Sequence, residues 1–200
     1  MRLVAATGNK KKLWEIQRIM EHIGVQVLTP DMLGVVSDAI ECGETFRANA
    51  AIKAWDIYRK TGLPSIADDS GLCIDALDGR PGVYSSRYGG EDTEYAVKFR
   101  MLFDKLRDVP QEERTARFTS AICCVLDEDT VIEVEESCEG YIGHEASGEG
   151  GFGYDPIFYM GERSFADFSP EEKDAVSHRG KALRAFVKKM EDYLKYKGEI

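Results

Sequence analysis

The sequence contains little histidine, and its cysteines lack the spacing of a metal site. It has three histidines and five cysteines in 200 residues. Cys123 and Cys124 are adjacent and the other three cysteines are scattered, which excludes the paired spacing of zinc fingers. The odd number of cysteines and their apolar surroundings predict reduced, mostly buried thiols and a cytoplasmic protein. No Cys–His or Ser–His–Asp arrangement suggests a covalent nucleophile.

Long apolar runs and positive net charge are also missing. No stretch approaches the length of a membrane span, and the apolar run at the N-terminus is too short for a signal peptide. The formal net charge of −10 argues against non-specific binding to DNA, RNA or anionic membranes. With 43% hydrophobic residues in 200, we expect one large soluble domain or two tightly fused lobes.

The most informative segment places two acidic residues after a short apolar run. We predict that a buried strand ends at Asp68 and Asp69, with Ser70 and Gly71 following. Because neighbouring residues in a strand point to opposite faces, the two carboxylates are expected to have different partners. One of them could hold a hard cation, Mg²⁺ or Mn²⁺, which prefer oxygen ligands. The alternative is a strand that ends in an ordinary turn, because Asp, Ser and Gly are common turn residues.

A second signal lies near the N-terminus, where an apolar run meets a helical pattern. The run over residues 3–6 predicts a buried strand, and a tight turn and a helix follow it. The turn consists of Thr7, Gly8 and Asn9, and the first helical turn of Lys10, Lys11 and Lys12. Cations there oppose the helix dipole, which is expected where the free N–H groups and the lysines share a bound anion. The alternative is a solvated lysine run, and the ending of a P-loop is missing.

A glycine-rich loop with aromatic residues precedes a later strand. Residues 148–158 contain four glycines close together, with Phe152 and Tyr154 between and after them and Asp155 next. Glycines let the backbone approach a ligand closely, and the two rings could stack on a flat base. The alternative is a flexible turn.

A second basic cluster follows a helix start. Ser169 to Glu172 have the pattern of a capping box with proline at the first helical position. Lys173 follows, and His178 and Arg179 come just after this short helix. We expect residues 177–180 to interrupt the helices, and a closing amphipathic helix from about Ala182.

The remaining patterns predict the fold class. Helical spacing is found over residues 45–60 and 93–106, and strand alternation over residues 114–143 on both sides of an acidic turn. The fold is therefore expected to be α/β with parallel and antiparallel portions, not a purely parallel doubly wound sheet.

These features suggest a ligand with two parts. A metal ion and lysines suit a polyphosphate, whereas aromatic stacking with His178 and Arg179 suits a purine. A nucleoside triphosphate has both parts. Because no covalent nucleophile is evident, a metal-activated water that attacks phosphorus is the simplest chemistry.

The chain resembles the inosine triphosphate pyrophosphatase (Ham1-like) family. The resemblance implies one domain over residues 1–200, an elongated mixed sheet with flanking helices, two lobes around a central cleft, and a homodimer. It also implies Mg²⁺-dependent hydrolysis of dITP, ITP and XTP to the monophosphate and pyrophosphate. The motifs that carry it are residues 7–9 with Lys12, residues 67–72, residues 81–87, residues 150–156, and Lys173 with residues 177–179.

The resemblance also implies roles for individual residues. Asp69 is expected to be a metal ligand and the proton acceptor, and Ser70 to contact the substrate. His178 and Arg179 are expected to meet the base. The expected phosphate-binding residues are Thr7, Gly8, Asn9, Lys10, Lys11 and Lys12. The expected nucleoside pocket consists of Phe152, Gly153, Tyr154, Asp155 and Lys173.

One position departs from the family pattern. Many members have a metal-binding glutamate where this chain has Ile40; Glu41 is expected to substitute, with Glu44 as the alternative.

Two other functions fit the sequence less well. A phosphatase with an aspartyl nucleophile is disfavoured because such sites space their two acids by one residue. A nucleotide- or RNA-binding module with stacking aromatics is disfavoured for RNA by the negative net charge.

Overall fold

The computed structural model describes residues 1–198 and contains a mixed β-sheet with helices. Within that range the sheet has eight strands: β1 (Arg2–Ala5), β2 (Gln26–Leu28), β3 (Ser65–Ile74), β4 (Arg80–Pro81), β5 (Thr115–Val125), β6 (Val131–Ile142), β7 (Phe158–Met160) and β8 (Arg163–Ser164). The same residues form five α-helices: α1 (Lys10–His22), α2 (Phe46–Thr61), α3 (Tyr95–Lys105), α4 (Pro170–Val176) and α5 (His178–Lys197).

The sheet combines parallel and antiparallel pairs, as predicted. The strand order is β2-β1-β3-β5-β6-β7-β8, with β4 beside β3. β1 is parallel to both neighbours, with Val4 opposite Leu28 of β2 and Ser65 of β3. β7 is antiparallel to β6 and to β8. The turn between β5 and β6 is closed by a hydrogen bond from Leu126 N–H to the Thr130 carbonyl, 2.9 Å long. The predicted mixed α/β class is therefore confirmed.

The chain divides into two compact units. Unit 1 contains Met1–Asp69, Ser120–Glu136 and the described residues from Ala182 onward, and unit 2 contains Ser70–Thr119 and Ser137–Lys181. Each unit buries its own apolar core. The core of unit 1 includes Leu3, Met20, Ile66, Phe186 and Met190. The core of unit 2 includes Leu72, Leu102, Phe118, Phe158 and Phe165.

The strand that carries the two acidic residues is longer than predicted. We expected it to end at Asp68 and Asp69, which was wrong, because β3 continues to Ile74. Both acidic residues are buried inside the strand, with 5% and 8% of their surface exposed. The strand continues because Leu72 and Ile74 again take buried positions beyond them. Lysines of α1 and α2 also compensate the two charges.

The last helix begins earlier than predicted. We expected it to start near Ala182 after an interruption, whereas α5 starts at His178. Ser177 alone separates α4 from α5 and has an extended backbone, with ψ at 154°. Its hydroxyl oxygen accepts a hydrogen bond from Gly180 N–H at 3.1 Å, which supplies the N-terminal cap that a new helix needs. His178 and Arg179 therefore lie in the first turn of a helix.

The helices were checked for length and apolar character, and the cysteines for disulfides and acidity. None of the helices within residues 1–198 has both the length and the apolar character needed to span a membrane. None of the five cysteines, all of which lie in this range, is in a disulfide. Burial raises the pKa of Cys123 to about 12 and the pKa of Cys138 to about 11. These thiols stay protonated near neutral pH and are poor nucleophiles.

Candidate functional site

The N-terminus of α1 is built by a local capping arrangement. The Asn9 side chain accepts hydrogen bonds from the N–H groups of Lys11 at 3.0 Å and Lys12 at 3.3 Å. Thr7 Oγ1 accepts from Asn9 N–H at 3.2 Å. A Cβ atom at Gly8 would meet no atom within 4 Å, so the space beside the turn is open. A helix start of this kind favours a bound anion through its dipole and remaining N–H groups.

Among the three lysines of this turn, Lys12 contacts the acidic strand. Lys12 forms an ion pair with Asp68, with Nζ and Oδ2 2.7 Å apart. Lys10 and Lys11 are exposed. The solvated-run interpretation therefore fits the positions of Lys10 and Lys11 better than that of Lys12.

Asp69 lies on the opposite face of β3 and contacts α2. Asn49 Nδ2 donates to Asp69 Oδ2 at 3.2 Å, and Lys53 Nζ lies 3.3 Å from Asp69 Oδ1. Asn49 and Lys53 are four residues apart, so they share one face of the helix. The two adjacent carboxylates thus have different partners, as strand geometry requires.

The environment of Asp69 alters its acidity in two directions. Burial raises the pKa of Asp69 above its ordinary value, and the negative charge of Glu41 adds to this. Lys53, the hydrogen bond from Asn49 and the charge of Lys12 act in the opposite direction, and the net shift of the pKa is upward. A buried carboxylate with a raised pKa and specific partners is typical of a functional site.

Glu41 is brought to Asp69 by the segment that precedes α2. We call residues 34–44 the Glu41 segment. Glu41 Oε2 lies 3.3 Å from Lys53 Nζ, the same ammonium that contacts Asp69. Ile40 is 80% exposed, and Glu44 is exposed. Glu41 rather than Glu44 therefore has its carboxylate near Asp69.

The carboxylates of Glu41 and Asp69 fit a hard cation. Both lie 3.3 Å from one positive charge, the Lys53 ammonium, so they converge on a common cation already. Residues 1–198 contain no group of three or more His, Cys, Asp and Glu side chains arranged to hold a metal ion. Mg²⁺ is commonly bound by one or two carboxylates together with substrate phosphates. The two carboxylates therefore have the chemistry that a hard cation of this kind requires.

In unit 2, Asp155 closes the glycine-rich loop. Its carboxylate accepts from Phe152 N–H at 2.6 Å and forms an ion pair with Lys173. Gly151 has a φ of 75°, and a Cβ atom there would collide with the Asp155 carboxylate. Gly153 also has a positive φ, 66°. These glycines are therefore needed for the loop conformation.

The two aromatic residues of this loop have different positions. Phe152 is 40% exposed, whereas Tyr154 is 4% exposed. The Phe152 ring has two cations near it, Lys173 Nζ at 5.3 Å and Arg179 Cζ at 5.4 Å from its centroid. Tyr154 instead donates its hydroxyl to the Ser85 carbonyl at 2.8 Å. Phe152 is therefore the more exposed of the two rings, and Tyr154 packs inside the unit.

The remaining predicted base-binding residues lie on two consecutive helices, Lys173 in the last turn of α4 and His178 and Arg179 in the first turn of α5. Lys173 lies in α4, whose capping box at Ser169 is present as predicted. His178 and Arg179, each 8% exposed, begin α5. The His178 imidazole stacks on Phe118, with the ring centroids 4.9 Å apart.

Ser70, the predicted substrate contact after Asp69, stands inside β3 and is partly exposed. It is the first residue of unit 2. Its role in contacting substrate stays a prediction.

Three residues that contact the predicted site residues were not predicted from the sequence: Asn49, Lys53 and Phe118. Asn49 and Lys53 occur on the stripe of α2 that also includes Phe46, Ala50 and Ala54. Polar residues at the spacing of a buried helix face are a signal that could have indicated them. Phe118 looked like any core residue of an alternating strand.

Comparison with known sequences agrees with this description. A sequence model of the Ham1 family matches residues 3–189. A dITP/XTP pyrophosphatase of Geobacillus kaustophilus (strain HTA426) is 43% identical over 198 residues, covering 98% of this chain and 97% of that protein. A dITP/XTP pyrophosphatase of Nocardia farcinica (strain IFM 10152) is 46% identical over 188 residues, covering 92% of this chain and 91% of that protein.

Solved structures give the same result. A HAM1 protein from Coxiella burnetii matches with a TM-score of 0.91 at 37% identity, covering 96% of this chain and 99% of that chain. The Ham1 protein of Staphylococcus aureus matches with a TM-score of 0.89 at 31% identity, covering 96% of this chain and 100% of that chain. The family match spans most of the sequence, and the folds agree. The chain therefore belongs to the Ham1 family.

Proposed function

We propose that this protein is a nucleoside-triphosphate pyrophosphatase for non-standard purine nucleotides. It hydrolyses dITP, ITP and XTP to the nucleoside monophosphate and pyrophosphate, and so removes them from the nucleotide pool. The observation that carries the proposal is the buried Asp69 carboxylate, which Asn49 and Lys53 hold and which shares Lys53 with Glu41. The curated relatives that are named dITP/XTP pyrophosphatases support it.

The triphosphate is assigned to the N-terminus of α1. Thr7 to Asn9 form the turn, and the helix N–H groups and Lys12 supply positive potential. Lys10 and Lys11 are exposed, and they add to the potential that attracts a polyanion. Four negative charges on a nucleoside triphosphate need such compensation before phosphorus can be attacked.

Glu41 and Asp69 are proposed to hold the metal, Mg²⁺, with Mn²⁺ as a substitute. When bound, the ion neutralises phosphate charge and makes a bound water more acidic. Asp69 is proposed to accept the proton of the attacking water, and its raised pKa suits this role. Water adds to the α-phosphorus, and the bond from that phosphorus to the oxygen bridging to the β-phosphorus breaks. Pyrophosphate leaves with the electron pair of that bond.

The purine is assigned to unit 2. Phe152, which is 40% exposed, offers its ring for stacking. Lys173, His178 and Arg179 offer hydrogen-bond donors. Hypoxanthine and xanthine present an acceptor at O6, whereas adenine presents a donor at N6. Adenine would therefore leave buried donors unpaired, which costs more than a steric mismatch does.

We also propose, from the family resemblance, that the protein is a cytoplasmic homodimer. Sedimentation equilibrium measures the mass of the protein in solution and so tests the dimer directly. A mass equal to one chain at micromolar concentration would contradict the dimer.

The experiment that tests the reaction uses water labelled with ¹⁸O. ITP is incubated with the protein and Mg²⁺, and the products are analysed by mass spectrometry. Attack at the α-phosphorus puts the label into IMP and leaves pyrophosphate unlabelled. Label in orthophosphate would indicate a phosphatase, and the absence of any product would indicate a binding protein.

A further inference from the structure

Asn49 is a buried amide that contacts two parts of the candidate metal site. Its side chain has no exposed surface. Asn49 Nδ2 donates to Asp69 Oδ2 at 3.2 Å, and Asn49 Oδ1 accepts from Gly43 N–H at 2.8 Å. Gly43 belongs to the Glu41 segment, two residues after Glu41 itself. One side chain therefore joins the carboxylate of one candidate ligand to the backbone beside the other.

The two contacts require an amide in one orientation. An ionised carboxylate only accepts hydrogen bonds, and a backbone N–H only donates. The amide nitrogen must therefore face Asp69, and the amide oxygen must face Gly43. Aspartate at this position would lose the donor, and leucine would lose both groups. Among the standard side chains of this size, asparagine alone supplies a donor and an acceptor on two separate atoms.

Gly43 shows how closely the Glu41 segment approaches α2. A Cβ atom at Gly43 would lie 2.7 Å from Ala48 Cβ and 2.8 Å from Asn49 Oδ1. The φ of Gly43 is not positive, so glycine is needed there for space and not for backbone conformation. Any larger residue would push against the amide oxygen that holds the segment.

We propose that Asn49 is a positioning residue that orients the Asp69 carboxylate and holds the Glu41 segment against it. This inference rests on the proposed function, since it assigns Asn49 to the same metal and water chemistry. Groups that orient metal ligands typically change metal affinity or activity by about 10- to 100-fold when they are removed. Asn49 acts through Asp69 and Glu41 and does not itself touch the reacting atoms.

The first test compares Asn49→Ala with a matched control, Ser65→Ala. Ser65 is fully buried on the same strand, and its hydroxyl donates to the Ala54 carbonyl of α2 at 2.6 Å. The control therefore removes a buried hydrogen bond between the same two elements, but one away from Asp69. Mn²⁺ binding in the presence of pyrophosphate is measured by electron paramagnetic resonance, and kcat/KM for ITP by pyrophosphate release. Thermal unfolding reports whether each variant is folded.

We expect Asn49→Ala to weaken Mn²⁺ binding and to lower kcat/KM by about 10- to 100-fold each. Ser65→Ala should stay within about threefold of the wild type in both. Equal effects of the two variants, or an Asn49→Ala variant within threefold of the wild type, would overturn the proposal. If the wild type releases no pyrophosphate, the proposed function fails, and Mn²⁺ binding alone then decides the role of Asn49.

The second test is a double-mutant cycle with Asp69→Asn. If Asn49 acts through Asp69, adding Asn49→Ala to Asp69→Asn should lower kcat/KM by less than about threefold. Losses that multiply independently would contradict the assignment of Asn49 to Asp69, and the Mn²⁺ measurement separately tests its hold on the Glu41 segment. Should Asn49→Ala fail to fold, Gly43→Ala replaces it. Gly43 is partly exposed, and a Cβ atom at this position would displace the Asn49 amide oxygen. Normal Mn²⁺ binding by a folded Gly43→Ala would equally contradict the inference.

Discussion

The imidazole of His178 lies parallel to the ring of Phe118, with an interplanar angle of 16° and centroids 4.9 Å apart. Both residues are buried. Phe118 is itself fixed by two further rings, Phe158 at 4.6 Å and Phe165 at 6.0 Å between centroids. The plane of the His178 imidazole is therefore set by the core of unit 2.

Phe118→Leu is expected to lower kcat/KM for ITP by about three- to tenfold, the value of one aromatic contact. The reason is that leucine fills part of the space but no longer holds the imidazole plane. Kinetics with ITP and GTP check this, and the preference for ITP should also shrink. Phe158→Leu is the control, because the Phe158 ring packs on Phe118 at an interplanar angle of 51° and not in the stacked geometry that Phe118 has with His178. Equal losses in both variants would show a general packing effect instead.

The two adjacent carboxylates are expected to differ in their effect on the rate. Asp69→Asn keeps the shape but removes the charge, and it should lower kcat by at least about 100-fold if the carboxylate binds metal or accepts the proton. Asp68→Asn should act mainly through its partner Lys12 and raise KM more than it lowers kcat. Steady-state kinetics separate the two. A fully active Asp69→Asn would remove Asp69 from the site.

How much of this could be predicted depended on whether the signal was local. The capping box at Ser169 depends on residues within three positions and formed as predicted, and the Asn9 cap of α1 is equally local. The predicted β3 ended too early, because aspartate has a low intrinsic preference for strands. Its charges are compensated by Lys12 and Lys53, which come from helices distant in sequence. No local pattern reveals such partners.

The site residues within sequence motifs could be predicted, but their contacts from distant parts of the sequence could not. The family motifs pointed to Asp69 and Lys12, but not to the groups that orient them. Asn49 contacts Asp69 from 20 positions earlier, and Phe118 contacts His178 from 60 positions earlier. Such pairs arise only when the strands and helices have packed. The polar residues on the buried stripe of α2 were a signal for Asn49, whereas Phe118 had the pattern of an ordinary core position.

The choice between Glu41 and Glu44 can be decided by metal titration. Glu41→Gln should raise the Mg²⁺ concentration needed for half-maximal activity, because one of two carboxylates that converge on a cation is neutralised. Glu44→Gln is the matched control, since Glu44 is exposed, and its Mg²⁺ requirement should equal that of the wild type. A shift with Glu44→Gln but not with Glu41→Gln would reverse the assignment.

The lysines of α1 should not be equivalent. Lys12→Ala is expected to lower kcat/KM for ITP by about tenfold or more, because a partly buried cation directed at the site is lost. Lys10→Ala, at an exposed position, should cost much less and should lose its effect at high salt. Kinetics at two ionic strengths test both. If Lys12→Ala has the wild-type kcat/KM, the lysine run is only a solvated surface.

The most direct measurement is a panel of nucleoside triphosphates at saturating Mg²⁺, with pyrophosphate and orthophosphate quantified separately. ITP, dITP and XTP should each give the monophosphate and pyrophosphate. The value of kcat/KM for ATP should be lower by about 10⁴-fold, because its N6 donor leaves site donors unpaired. The value of kcat/KM for GTP should lie between those for ATP and ITP, since guanine has the same O6 acceptor as hypoxanthine. Comparable kcat/KM values for ATP, GTP and ITP, or orthophosphate as the product, would contradict a purine-selective pyrophosphatase.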